Sequence, residues 1–240
     1  MLPLGDDNLP GRGLAFLTVG LIALNVAVFL LLQEAMGENA FTYGWSAIPL
    51  EISTGVDHLG ALPITIGGQV YSVPQASGPS PIQLTLLSSM FMHGDFVHLG
   101  GNMLYLWIFG DNVEHRLGRP IFIVVYLLAG LVGSLAQIAS DPTSPIPTLG
   151  ASGAISGVLG AYLVLFPGNR VTAILIRVLV KVPALWAIGL WIALQVFESL
   201  VTEPGGGGVA YLAHFGGFVT GALAALLLRN RPDLSLGRAG

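Results

Sequence analysis

Cysteine is absent from all 240 residues, which excludes thiol nucleophiles, disulfides and zinc held by thiolates. Charge is nearly as scarce: 9% of residues are charged, against about 25% in an ordinary globular domain. A net charge of -4 and the lack of any basic run exclude nucleic acid as a partner. What remains is apolar. Hydrophobic residues make up 53% of the chain and mean hydropathy is +0.77, more apolar surface than a soluble fold of this size can bury, so the solvent implied is a lipid bilayer. The 33 glycines agree, since small residues let helix backbones approach closely in lipid.

Uncharged stretches of spanning length run from Gly13 to Gln33, Pro120 to Ser140 and Pro204 to Leu228, the last interrupted by Gly205 to Gly208, and Pro183 to Val201, with Glu198 as its single charge, gives another span. A shorter span starts near Ser152, after a loop holding Pro145 and Pro147, and ends before Pro167. Another runs from Phe96 into a charged end near Val113. The expected fold is therefore all-α: a polytopic membrane bundle of six transmembrane helices at about 14–33, 96–115, 120–140, 152–166, 183–201 and 208–228. Residues 14–228 form one membrane domain between a short N-terminus, 1–13, and a tail, 229–240.

Basic residues orient this map, because loops on the cytoplasmic side retain Lys and Arg. With both termini cytoplasmic, Arg12, Arg116, Arg119, Arg170, Arg177, Lys181, Arg229, Arg231 and Arg238 all fall inside. The outer loops carry Glu34, Glu38, Glu51, Asp57, Asp95, Asp141 and Glu203 and no base. The first outer loop, 34–95, is long enough to need its own structure. Phe41, Tyr43 and Trp45 suit the headgroup region, Ile64 to Tyr71 reads as a hairpin turning at Gly67 and Gly68, and Pro74 to Pro81 reads as a flexible connector.

Polar residues inside a membrane are costly, so His98, Asn102, Ser152 and His214 are functional candidates. Ser152 lies in Gly150-Ala-Ser-Gly153, where a loop becomes a helix. There its hydroxyl can face unpaired backbone N–H groups that suit a developing negative charge, or it can cap the helix. A serine nucleophile needs a base, and His214 is the histidine of the last four spans. Counted at about 1.5 Å per residue, both sit roughly 8–9 Å below the outer boundary. Small residues at spacing four, Gly153 and Gly157 on one helix and Gly217 and Gly221 on the other, allow those helices to pack closely, whether for the site or for packing alone. No carboxylate clearly faces the last span, so a dyad rather than a triad is expected. His98 and Asn102, one turn apart, can serve the oxyanion with the backbone of Ser152 or make structural hydrogen bonds. A metal is not expected, since His93 and His98 are five apart and read as facing different sides of a helix.

In this order the motifs resemble the rhomboid family of intramembrane serine proteases: Met90-Phe-Met-His93-Gly-Asp-Phe-Val-His98-Leu-Gly-Gly-Asn102 running to Phe109–Gly118, then Leu149-Gly-Ala-Ser152-Gly-Ala-Ile-Ser-Gly157, then Ala213-His214-Phe-Gly-Gly217-Phe-Val-Thr-Gly221. The likeness covers about residues 85 to 228. It implies a catalytic dyad of Ser152 and His214, an oxyanion site including His98 and Asn102, six core helices, no cofactor, and transmembrane protein substrates. Some relatives carry a tyrosine four residues after the nucleophile that stacks on the histidine, where this chain has Ser156. A non-catalytic member binding membrane clients is the alternative, and a transporter a third; the charge map suits a cell membrane with the site opening to the outer face.

Overall fold

The computed structural model describes residues 2–8, 13–35, 38–175, 177–201 and 209–230. Arg12, Glu203, Arg231 and Arg238, which help orient the chain, and Gly205 to Gly208, which interrupt the last span, lie outside these. The described chain is mostly helical, and among it three helices are long and apolar enough to cross a membrane: Arg119–Ser140, Ala184–Val201 and Tyr211–Leu228.

Strand β1 (Leu2–Asp6) precedes α1 (Phe16–Ala27), whose last turns widen into a π-helix over Val28–Leu32. The outer loop then folds as α2 (Ala40–Trp45), α3 (Pro49–Thr54) and a hairpin of β2 (Gly60–Ile66) with β3 (Gln69–Gln75). Gly67 and Gly68 turn the hairpin with φ of 59° and 80°, the left-handed pair that a two-residue turn of matching twist requires. The connector after it is not loose. Ser77 Oγ and the Gly78 amide donate to Asp57, and Gly44 lets the Ser77 carbonyl press against α2. Short turns around α4 (Thr85–Ser88) lead to α5 (Phe96–Leu117).

Asp95 caps α5 by accepting from the His98 amide at 2.7 Å, and the helix ends at Gly118 with φ 78°. At its far end the carboxylate of Glu114, 2% exposed, accepts from the Leu17 and Thr18 amides and the Thr18 hydroxyl. One side chain thus satisfies the start of α1 and fixes it to α5. Pro120 opens α6 (Arg119–Ser140), and α7 (Ser152–Leu165) follows the proline loop.

The segment between the fourth and fifth expected spans, to which no structure was assigned above, forms β4 (Arg170–Leu175) and β5 (Val178–Pro183). With β1 they make an antiparallel sheet in the order β1-β4-β5, Leu2 opposite Ile174 and Val171 opposite Val182. The β-branched run from Val171 to Val182 explains the strands, so the mostly helical chain carries a second small sheet beside the expected hairpin. Asp6 is fixed beneath this sheet by the Tyr162 hydroxyl and the Asn112 amide, and Asp7 pairs with Lys181 at 2.9 Å. Burial raises the Asp6 carboxyl above the usual range, while hydrogen bonding to Lys181 lowers that of Asp7. Helices α8 (Ala184–Val201) and α9 (Tyr211–Leu228) complete the chain. The core lies between α5, α6 and α7, around Phe109, Phe122, Tyr126 and Tyr162.

Candidate active site

The loop before α7 bends sharply at Gly150, whose φ is 133°. Only glycine adopts that conformation readily, and an added Cβ would stand 2.9 Å from Cε1 and Nε2 of His98 and 3.6 Å from Ser152 Oγ. The bend therefore brings the α5 imidazole beside the serine. Ser152 is the first residue of α7; Ala151 occupies the cap position and no side chain caps the helix. The first amides of α7 thus have no partner within the helix and no capping side chain.

The hydroxyl of Ser152 does not cap α7. Its Oγ lies 2.8 Å from Nε2 of His214 on α9, a hydrogen bond between residues 62 apart in sequence. The imidazole is 8% exposed and Ser152 half-buried, so the pair is accessible from the serine side. Close helix contact makes this possible. An added Cβ on Gly217 would run into the Gly153 carbonyl, and one on Gly221 into that of Gly157. Gly157 is hemmed in also by Ala129 of α6, so α6, α7 and α9 meet along these glycines.

The other sequence-predicted residues divide. His98 lines the site at Gly150, and its Nδ1 accepts from the Gly94 amide at 3.4 Å. Asn102 is 8% exposed, and its Nδ2 donates to the His98 carbonyl at 3.0 Å, a bond within its own helix. Ser156, where some relatives have tyrosine, is buried and donates back to the Ser152 carbonyl at 2.6 Å. His93 was expected on another helix face from His98. It precedes α5 instead, so the two rings meet edge to face with centroids 5.0 Å apart. Gln33 holds the His93 backbone at both its amide and its carbonyl, and burial pushes the imidazole down to about 3.

Two side chains that no sequence motif singles out also touch the imidazole. Gln195 of α8 has Oε1 2.9 Å from Nδ1 of His214, and the Trp191 ring lies 5.9 Å from it, tilted by 34°. Their spacing of four residues, which sets both on one face of α8, is the signal that was available.

Comparison with known proteins agrees with these motifs. A family model described as "Rhomboid domain" matches residues 82–231. "Rhomboid protein 1, mitochondrial" of Saccharomyces cerevisiae is 33% identical over 150 residues, 59% of this chain and 40% of that protein. "RHOMBOID-like protein 5" of Arabidopsis thaliana is 31% identical over 154 residues, 62% of this chain and 45% of its own length. "Rhomboid protease GluP" of Bacillus subtilis is 46% identical over 85 residues, 35% of this chain and 16% of that protein. The matched stretch thus spans less than half the length of each relative. With the family domain covering more than half of this chain, and apolar helices of spanning length beneath it, the chain is an integral membrane protein that belongs to the rhomboid family.

Proposed function

We propose that the protein is an intramembrane serine endopeptidase that cleaves transmembrane segments of other proteins, with Ser152 as nucleophile and His214 as general base. The observation that carries this reading is the 2.8 Å contact between Ser152 Oγ and His214 Nε2, a nucleophile within proton-transfer distance of a base. In the proposed reaction Nε2 takes the hydroxyl proton as Oγ attacks the scissile carbonyl, then returns it to the leaving amine; water hydrolyses the acyl enzyme by the same route in reverse. No metal or organic cofactor takes part.

The oxyanion formed in each step is met by the first amides of α7, Ser152 among them, and by His98 and Asn102. For His98 the supporting contact is that of Nδ1 with the Gly94 amide, which leaves the ring proton on Nε2, the atom turned toward Gly150 and Ser152. Asn102 spends one amide hydrogen on its own helix and has a second to offer.

The proposal includes six spans with both termini on the cytoplasmic side of a cell membrane. α7 has 14 residues, about 21 Å at 1.5 Å each, so it falls short of a 30 Å hydrocarbon layer. Its start at Ser152 then lies below the outer boundary, where water from that side can enter and a substrate helix can unwind. The test is purified protein in liposomes with a generic transmembrane substrate. Wild type should cleave it, and Ser152→Ala and His214→Ala, folded and inserted, should not. Near wild-type turnover by either variant would remove the dyad; binding without cleavage by all three would favour a client-binding role.

A further inference from the structure

Helix α8 buries only Ala184, Ala187 and Ile188, all in its first turns, while Leu190, Leu194, Phe197 and Leu200 are exposed. Beyond Ile188 its inward contacts with the site are those of Trp191 and Gln195 with His214. We propose that Gln195 is a positioning residue that fixes the tautomer of His214, with Trp191 holding the ring in plane. This rests on the reading of Ser152 and His214 as nucleophile and base.

The chemistry follows from which atoms can donate. Oε1 of Gln195 is a carbonyl oxygen and only accepts, so the 2.9 Å contact requires a proton on Nδ1 of His214. A neutral imidazole carries one proton, so Nε2 is then a bare lone pair, 2.8 Å from Ser152 Oγ. The opposite tautomer would point an N–H at the serine and could not take its proton. As the proton moves to Nε2, the ring becomes cationic and the Nδ1–H bond to Gln195 becomes charge-assisted, roughly twice as strong as a neutral one. The contact therefore favours the transition state over the resting enzyme. Ser156 cannot supply this support, because its hydroxyl is committed to the Ser152 carbonyl.

Gln195→Leu removes the acceptor and leaves an apolar side chain branched one carbon earlier, and Gln195→Glu restores an acceptor with a charge. Cleavage kinetics of a transmembrane reporter in liposomes, from pH 5 to 9 and per folded molecule, should show kcat for Gln195→Leu down roughly 10- to 100-fold with KM within twofold. Gln195→Glu should return to within about threefold of wild type, with the acid limb of its pH profile moved upward, since a carboxylate beside the ring favours the imidazolium. Nitrogen-15 spectra of histidine-labelled protein supply a readout independent of turnover: neutral His214 should have an unprotonated Nε2 in wild type and a mixture of tautomers in Gln195→Leu. Unchanged kcat per folded molecule in Gln195→Leu, or an unchanged His214 tautomer, would overturn the proposal. If wild type and Ser152→Ala both fail to cleave, the protease reading falls, and the nitrogen spectra still decide whether Gln195 holds the ring.

Discussion

Gly221→Ala joins helix packing to the site in one substitution. The added Cβ would stand 2.5 Å from the carbonyl carbon and 2.7 Å from Cα of Gly157, with the carbonyl oxygen nearer still. Ordinary contact begins near 3.4 Å. The obstacle is backbone and cannot rotate aside, so α9 must retreat from α7 by about 1 Å. Overpacking of this kind costs up to about 3 kcal/mol, offset by about 1 kcal/mol of better helix propensity, for a net loss of about 2 kcal/mol. His214 lies seven residues earlier, two turns along the same face. A retreat of about 1 Å carried to that point stretches the 2.8 Å contact past hydrogen-bond range. Misplacement on that scale costs on the order of 100-fold in rate. Thermal unfolding in detergent followed by tryptophan fluorescence should show a lower Tm, and cleavage per folded molecule should fall by about that factor. Gly189→Ala on α8, where nothing lies within 4 Å of the new Cβ, is the control and should leave turnover unchanged while Tm rises slightly, by the helix-propensity gain alone. If Gly221→Ala turns over at the wild-type rate per folded molecule, the glycine contacts do not set the site's geometry.

Three further outcomes are expected. Asn102→Ala and His98→Ala should each lower kcat by roughly 10- to 1000-fold with little change in KM, and the double variant should cost less than the sum because the donors act together; a Tm loss with kcat per folded molecule intact would assign Asn102 to structure alone. His93 is held down to about 3, chiefly by burial and secondarily by His98, with Asp95 opposing. Its ordinary value is 6.5, so it supports the fold above that pH, and the support is lost as pH falls from 6.5 toward 3; Tm measured in steps across this window should drop in wild type and more gently in His93→Gln. Reporters fused after Gly118 and Asn169 should read cytoplasmic and one near Ser77 external; a reversed reading at any of them breaks the six-span map.

The helices were legible because their signals are local. Each rests on an apolar run ended by proline, glycine or charge. The sheet of β1, β4 and β5 was not, because it pairs Leu2 with Ile174 and no local pattern in Leu2–Asp6 announces a partner so far along the chain. The five-residue interval from His93 to His98 reads as helical in the sequence, whereas the Asp95 cap starts the helix after His93 and the two rings meet. Gln195 escaped notice for a different reason. A single amide in an apolar helix carries no periodicity, and its aim depends on how α8 rotates about the small buried face of Ala184, Ala187 and Ile188.

A polar side chain in lipid has an inexpensive solution, which is to bond to the carbonyl four residues back in its own helix. Asn25, Asn102, Ser156 and Thr220 all do so. Ser152 has no such carbonyl within α7, because it is the first residue of the helix and the chain four residues earlier is loop. Its hydroxyl must look elsewhere, and the glycine contacts between α7 and α9 bring His214 to meet it. The same reasoning extends to the imidazole, which has two nitrogens and can be satisfied on both only if a third helix supplies an acceptor. Gln195 is that acceptor, so the chain from Ser152 through His214 to Gln195 ties α7, α9 and α8 by bonds that exist only when all three are in register. A serine at the head of a helix, denied the local bond its neighbours use, is thereby left to bond across helices.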